Sequence, residues 1–360
     1  MTEEDFIPGK PAALPESGKF KWRAPSNIAL VKYWGKRPGQ LPTNPSLSFS
    51  LTESATLTEL RFQKATTPSA IPGFEVFLHG KPAPHFKDKI RLFFDRISRY
   101  LPFVSEYDFE VHTENTFPHS SGIASSASGM AALALCLLDL EKSIYPGMLP
   151  EFMQQKASFL ARLGSGSAAR SISGKLVHWG RHESVPGSSD IFGIPYPHPV
   201  DPVFESFRDT ILLVEKGQKQ VSSTAGHKLM EGHPFAASRF SQARSNIDSL
   251  QPILRDGDLP AFISLVESEA LTLHAMMMTS NPYYILMKPA TLEIIERIWE
   301  FRKSSGEPVC FTLDAGANIH LLYPEASAST VYGFVERELV SFCQRGEHIL
   351  DRVGTGASRL

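Results

Sequence analysis

The stretch Thr116-Phe117-Pro118-His119-Ser120-Ser121-Gly122-Ile123-Ala124-Ser125-Ser126-Ala127-Ser128-Gly129 leads from a strand-like segment into a helix, 129–141, that is apolar on almost every face. Its small residues let backbone N–H groups approach an anion, and the helix N-terminus adds partial positive charge and unpaired donors. Two readings stay open for the segment alone: a phosphate cradle, or a serine-rich cap on a buried helix. Ser125 and Ser126 carry hydroxyls able to meet a phosphate oxygen or a magnesium ion. The loop is not a Walker A motif, because no GxxxxGK[ST] occurs in the chain.

Working outward, 28–31, 46–51, 55–62, 73–78 and 107–113 have the β-branched, aromatic and alternating character of strands, separated by Pro, Gly and Asn. Apolar residues recur at helical spacing through Ile90, Phe93, Phe94, Ile97 and Leu101, which predicts a helix over 87–101. A further helix over 151–163 is closed by Gly164-Ser165-Gly166, after which Ser167 caps a short helix carrying Arg170. Beyond a strand at 175–179, the Gly, Pro and Ser of 181–202 mark a domain boundary. A strand at 209–214, three helical stretches within 224–278, and two strands at 309–313 and 319–323 joined by Asp314-Ala315-Gly316-Ala317-Asn318 complete the reading.

Bulk properties bound the function. At 360 residues, two domains are expected, and 42% hydrophobic with 21% charged residues is ordinary globular composition. With 36 basic against 38 acidic residues there is no global field to draw nucleic acid or an anionic membrane. No run approaches the ~18 apolar residues of a membrane span. Cys136, Cys310 and Cys343 are too scattered for a disulfide framework or a zinc knot, which fits a reducing, cytoplasmic setting. Residues 1–20, acidic and Pro-rich, read as a flexible arm. The ending Ser358-Arg359-Leu360 is close to a peroxisomal address, the one alternative location.

Gly164-Ser165-Gly166-Ser167-Ala168-Ala169 matches the dinucleotide fingerprint in letters only, since a helix precedes it where that fingerprint needs a strand. Arg170 at the start of a short helix instead suits a carboxylate or phosphate, with a surface ion pair as the plain alternative. Lys32, Trp34 and Lys36 share a strand face, which alone reads as solvated lysines, and Asp314 alone is a turn-former. The twelve histidines contain no HExxH pair, and Met276-Met277-Met278 reads as core.

Taken together and in order, these segments resemble one family, the mevalonate diphosphate decarboxylases of the GHMP kinase superfamily. The resemblance rests on Ala24-Pro25-Ser26-Asn27-Ile28-Ala29 through Lys32-Tyr33-Trp34-Gly35-Lys36-Arg37, on 41–48, on the loop from Glu114 to Gly129, on 161–171, on Val221-Ser222-Ser223-Thr224, and on 314–318. Pro45, His119-Ser120-Ser121 and Ala317 depart from the family pattern, but no charged position is lost.

The resemblance implies an α+β fold, with an N-terminal ATP-binding domain (21–202) whose β-α-β unit crosses over left-handedly, and a ferredoxin-like C-terminal domain (203–360). It implies ATP and Mg²⁺, mevalonate 5-diphosphate as substrate and a homodimer, with neither nucleic acid nor membrane as partner. Asp314, Lys32, Arg170 and Asn27 would be catalytic. Tyr33, Lys36, Ser165, Gly166, Ser167, Arg170, Ser223 and Thr224 would bind substrate. Ser120, Ser121, Gly122, Ala124, Ser125 and Ser126 would hold the ATP phosphates, with Ser125 and Ser126 also meeting the metal. A decarboxylase of mevalonate 5-phosphate, or a kinase that phosphorylates the 3-hydroxyl and stops, are the neighbouring readings.

Overall fold

The computed structural model describes residues 1–11, 13–118, 123, 125–216 and 223–360. Ser120, Ser121, Gly122, Ala124, Val221 and Ser222, all assigned to motifs above, lie outside the described residues. In chain order the elements are β1 (Ser17–Val31), a short ribbon of β2 (Lys36–Arg37) and β3 (Leu41–Pro42), β4 (Ser46–Lys64), β5 (Phe74–Leu78), β6 (Lys81–Pro82), α1 (Lys87–Ile97), β7 (Tyr107–Asn115), α2 (Ser125–Ile144), α3 (Pro150–Gly164), β8 (Leu176–Trp179) and β9 (Gly193–Pro195). There follow α4 (Pro202–Glu205), β10 (Arg208–Leu212), α5 (Ser223–Lys228), α6 (Ala236–Asp256), α7 (Leu259–Met278), α8 (Pro289–Ser305), β11 (Cys310–Thr312), β12 (Ile319–Tyr323), α9 (Ala328–Phe334), β13 (His348–Arg352) and β14 (Ser358–Arg359).

The first sheet has the order β14-β1-β4-β7-β5-β6, with β8 joined to β4 and β9 joined to β8. Its one parallel pair among the described residues is β5 with β7, connected through α1. The run from Ala24 to Lys32 is buried without alternation. A strand covered on both faces reads this way, here by α2 on one side and α6 and α7 on the other. α2 is likewise enclosed, between the sheet and α3, which is why its sequence shows no polar stripe.

The second sheet is wholly antiparallel in the order β11-β12-β10-β13. Helices between β10 and β11, and α9 between β12 and β13, give the ferredoxin-like arrangement. An apolar cluster including Phe49, Phe207 and Phe262 joins the two halves. Asp351 on β13 adds a polar tie, accepting the N–H groups of Thr52 (2.8 Å), Glu53 (2.8 Å) and Ser54 (2.7 Å) in the middle of β4.

Several expectations are corrected. The segments 46–51 and 55–62 are one strand, β4, which pairs with β8 through its first half and with β7 through its second. Arg170 ends a 3₁₀ turn, Gly166–Arg170, rather than sitting in an α-helix. The first twenty residues are not a free arm: Glu3–Phe6 forms a turn whose Phe6 is fully buried, and β1 already begins at Ser17. The tail does not stay with the second sheet either, because Ser358 and Arg359 pair with Arg23 and Trp22 of β1. The three cysteines are buried and free. Among the described residues, no helix is long and apolar enough to cross a membrane.

Candidate functional site

β1 ends at Val31, and the next residue, Lys32, is 1% exposed. Its Nζ lies 3.0 Å from Asp314 Oδ1, joining the two ends of the chain across a separation of 282 residues. Burial pulls the Lys32 ammonium below its ordinary pKa, and the Asp314 carboxylate opposes that shift. Asp314 itself stays 30% exposed and faces a cleft of about 160 Å³. Its turn is fixed from three sides. His274 Nε2 is 3.2 Å from the Asp314 carbonyl, Thr291 Oγ1 donates to the Ala317 carbonyl at 2.8 Å, and Asn318 exchanges two hydrogen bonds with the Glu215 backbone.

Arg170 is buried in the same cleft. Its Nη1 donates to Ser46 Oγ at 2.6 Å and its Nε to Asn27 Oδ1 at 3.3 Å, while Asn27 Nδ2 donates to Ser171 Oγ at 2.7 Å. The guanidinium also lies about 6 Å from the Tyr33 and Trp179 rings. Burial lowers its pKa to about 10, still far above neutrality, so it remains a fixed cation. In Arg170→Lys the flat two-point donor is lost, and kcat/KM should fall by about tenfold to a hundredfold, as for a lost charge-assisted hydrogen bond. A steady-state assay showing less than a twofold change would reject this placement.

Tyr33 stands between Trp179 and His227, with ring centroids at 4.7 and 4.3 Å. Among the described residues its buried hydroxyl has no hydrogen-bond partner, and burial pushes its pKa up. Gly166 makes room for it, since a Cβ there would sit 2.7 Å from Tyr33 Oη. Lys36, half-buried, donates to Gln40 Oε1 at 2.9 Å and lines the cleft together with Ser165, Gly166, Ser167 and Ser126. Ser126 Oγ is 3.2 Å from Ser165 Oγ. Ser223 and Thr224 open α5, and their side chains lie outside the described positions.

A second cavity of about 260 Å³ adjoins the first through Lys89 and Ser126. Val76, Leu78, Ile90, Val111 and Leu133 make it apolar, with Ser125 and Gly129 at the start of α2 on its rim. An apolar chamber opening onto a helix N-terminus suits a flat, largely apolar base joined to phosphates. Among the described residues, no three His, Cys, Asp or Glu side chains gather as a metal cage. Magnesium characteristically binds through substrate phosphates and a few protein oxygens, and the Ser125 and Ser126 hydroxyls are oxygens of that kind.

Sequence reasoning missed four residues. Glu269, fully buried on α7, accepts the Lys32 backbone N–H at 2.9 Å and pairs with Arg239 at 2.5 Å. Asn44 donates to the Lys32 carbonyl at 2.9 Å. His227 accepts the Gly35 N–H on Nδ1 at 3.0 Å and is held neutral by burial, its pKa lowered to about 3. Asn44 was in view within a recognised motif; the other three carry no local pattern.

The neutral His227 has a pH consequence. Between pH 6.5 and 3 the unfolded chain binds a proton there that the folded chain refuses, so stability falls as pH drops through that window. At pH 5 the loss is on the order of 2 kcal/mol, at ~1.4 kcal/mol per pH unit. In His227→Asn, whose Oδ1 can still accept the Gly35 N–H, the fall in urea midpoint from pH 7.5 to 5 should shrink. An unchanged fall would show that other groups set the acid sensitivity.

Comparison with known proteins places the chain in a family. Residues 24–191 match the diphosphomevalonate decarboxylase-like N-terminal domain, and 210–353 match the mevalonate 5-diphosphate decarboxylase C-terminal domain. The diphosphomevalonate decarboxylase of Aspergillus fumigatus is 30% identical over 87% of this chain and 78% of its own length. That of Candida albicans is 31% identical over 86% and 85%. The crystal structure of mevalonate diphosphate decarboxylase from Staphylococcus aureus superposes with a TM-score of 0.81 at 25% identity, covering 96% of this chain and 98% of that one. A structure of MDDEF in complex with MVAPP, AMPPCP and magnesium gives a TM-score of 0.80 at 25% identity, covering 96% and 99%. Two domain models spanning most of the chain, and curated relatives matched along most of their length, show that this chain belongs to the diphosphomevalonate decarboxylase family.

Proposed function

We propose that the chain catalyses the ATP-dependent decarboxylation of mevalonate 5-diphosphate to isopentenyl diphosphate, releasing ADP, phosphate and CO₂. The observation that carries this is the buried Lys32 paired with Asp314 at the floor of a cleft that also holds Arg170 and adjoins an apolar chamber. ATP supplies the phosphoryl group that makes the tertiary 3-hydroxyl a leaving group. Asp314 orients that hydroxyl and takes its proton. Phosphoryl transfer is largely dissociative, so placement counts for more than basicity.

When phosphate departs, the carbon left behind is electron-poor and draws the electrons of the adjacent carbon–carboxylate bond, forming the double bond and CO₂. Arg170, with Asn27 beside it, holds the carboxylate in one plane. Asp314 offers a negative charge to the developing cation, and the Lys32 ammonium sets its position. Tyr33, whose hydroxyl has no partner among the described residues, and Lys36, with Ser165 to Ser167, Ser223 and Thr224, take the diphosphate. The loop from Ser120 to Ser126, with Ser125 and Ser126 at the start of α2, receives the ATP phosphates.

CO₂ and ADP release with Mg-ATP, measured on mevalonate 5-diphosphate, mevalonate 5-phosphate and mevalonate in parallel, tests the reading. Equal CO₂ and ADP with the diphosphate is the expected result. Preference for the monophosphate would move the specificity, and ADP without CO₂ would make the protein a kinase.

A homodimer and a cytoplasmic site belong to the same reading, and light scattering at a monomer mass would reject the dimer.

A further inference from the structure

The N-terminal turn Glu3–Phe6 lies outside both matched domains, yet it is connected to the cleft. Phe6 is fully buried, stacked on Phe159 of α3 at 4.6 Å and flanked by Phe152 and Phe192. One helical turn after Phe159, Arg162 is also fully buried, its guanidinium 5.2 Å over the Phe159 ring. A buried guanidinium requires a counter-charge and fixed acceptors. Glu3 supplies the charge, with Oε1 2.6 Å from Arg162 Nη2 and Oε2 accepting from Tyr100 Oη at 3.0 Å.

The other arm of Arg162, Nη1, donates to the Gly39 carbonyl. Gly39, at φ 71°, and Gln40, at φ 61°, form the tip between β2 and β3, strands of two residues each. So short a ribbon cannot hold its shape by its own ladder. Gln40 Oε1 in turn accepts from Lys36 Nζ, and both side chains line the cleft.

We infer that Glu3, through Arg162, is a positioning residue for the diphosphate end of the substrate: it holds the Gly39-Gln40 tip that presents Lys36 and Gln40 to the cleft. This rests on the reading of Lys36 as a diphosphate ligand. The 5-diphosphate takes no part in the bonds made and broken at the 3-carbon, so the contribution falls on binding that is uniform between ground and transition states.

In Glu3→Ala the KM for mevalonate 5-diphosphate should rise by about fivefold to tenfold, or ~1–1.4 kcal/mol, while kcat and the KM for ATP stay within about twofold. Glu3→Gln, which keeps the acceptor opposite Arg162 but removes the charge, should fall between Glu3→Ala and the unaltered protein. A fall in Tm with no change in KM would overturn the inference, because Glu3 would then be a structural anchor only. An equal loss on ATP would overturn it too, as general damage to the fold. Absence of turnover by the unaltered protein on the diphosphate would instead strike the proposed function. In that case, competition by inorganic pyrophosphate for Lys36, read as protection of its amine from acylation, still tests the inference: protection weakened in Glu3→Ala supports it, and equal protection overturns it.

Discussion

Asp314→Asn is expected to lower kcat by about a thousandfold or more while leaving substrate affinity within severalfold. The substitution is isosteric, so the turn that carries residue 314, fixed by His274, Thr291 and Asn318, should keep its shape. Two functions disappear together. The substrate hydroxyl loses the group that takes its proton, an effect of about 10²–10⁴ in rate. The developing cation loses a fixed negative charge aimed at it.

A further consequence falls on Lys32. Burial pulls the Lys32 pKa down and the Asp314 carboxylate opposes that shift, so without the carboxylate the pKa drops further. The residual activity of Asp314→Asn should therefore gain more from added acid than the parent enzyme's does, because Lys32 holds its proton less tightly once the carboxylate is gone. Rates of ADP and CO₂ release, with binding followed by calorimetry, decide the matter. Near-normal turnover would remove Asp314 from the chemistry, and a hundredfold loss of affinity would make it a binding residue instead.

How much of this was visible in the sequence depends on whether a residue's role is local. The buried helix α2 and the strands around it were legible because each carries its signal within its own window, and the turn 314–318 was flanked by two clear strands. β4 was read as two strands because its halves serve different partners, and Thr52, Glu53 and Ser54 between them turn their N–H groups to Asp351, almost three hundred residues away. Helix α8 went unassigned, although Pro289 at its first turn and Gly306 at its left-handed cap are local signals that sufficed. Phe6 is a different case: a single aromatic in an acidic segment has no periodicity, and its burial depends on three phenylalanines supplied by α3 and the segment before β9. The charged residues of the cleft were identified by resemblance, not by pattern, since alone Lys32 reads as solvated and Asp314 as a turn-former. The residues that hold them, Glu269, Arg239 and His227, act across the fold and leave no mark in their own neighbourhoods.

Among these, Glu269 should give the largest effect on stability. Its carboxylate is fully enclosed and meets four donors: Arg239 Nη1 at 2.9 Å and Nη2 at 2.5 Å, Asn246 Nδ2 at 2.6 Å, and the Lys32 N–H at 2.9 Å. Arg239, also buried, donates to the Lys32 carbonyl at 3.2 Å, so the pair grips both sides of the residue that leads out of β1. Removing the carboxylate strands a buried guanidinium, which costs about 3–5 kcal/mol. Glu269→Leu should accordingly lower Tm by several degrees and depress turnover. A second change, Arg239→Met, removes the stranded charge, and an apolar pair of similar volume is often neutral in stability. The double variant should therefore regain most of the lost Tm. It should not regain turnover, because the Lys32 N–H still lacks its acceptor and the ammonium facing Asp314 loses its fixed origin. Recovery of both would show that the Asn44 contact alone suffices to place Lys32, and recovery of neither would mean that the cost lies in packing at α6 and α7, not in charge.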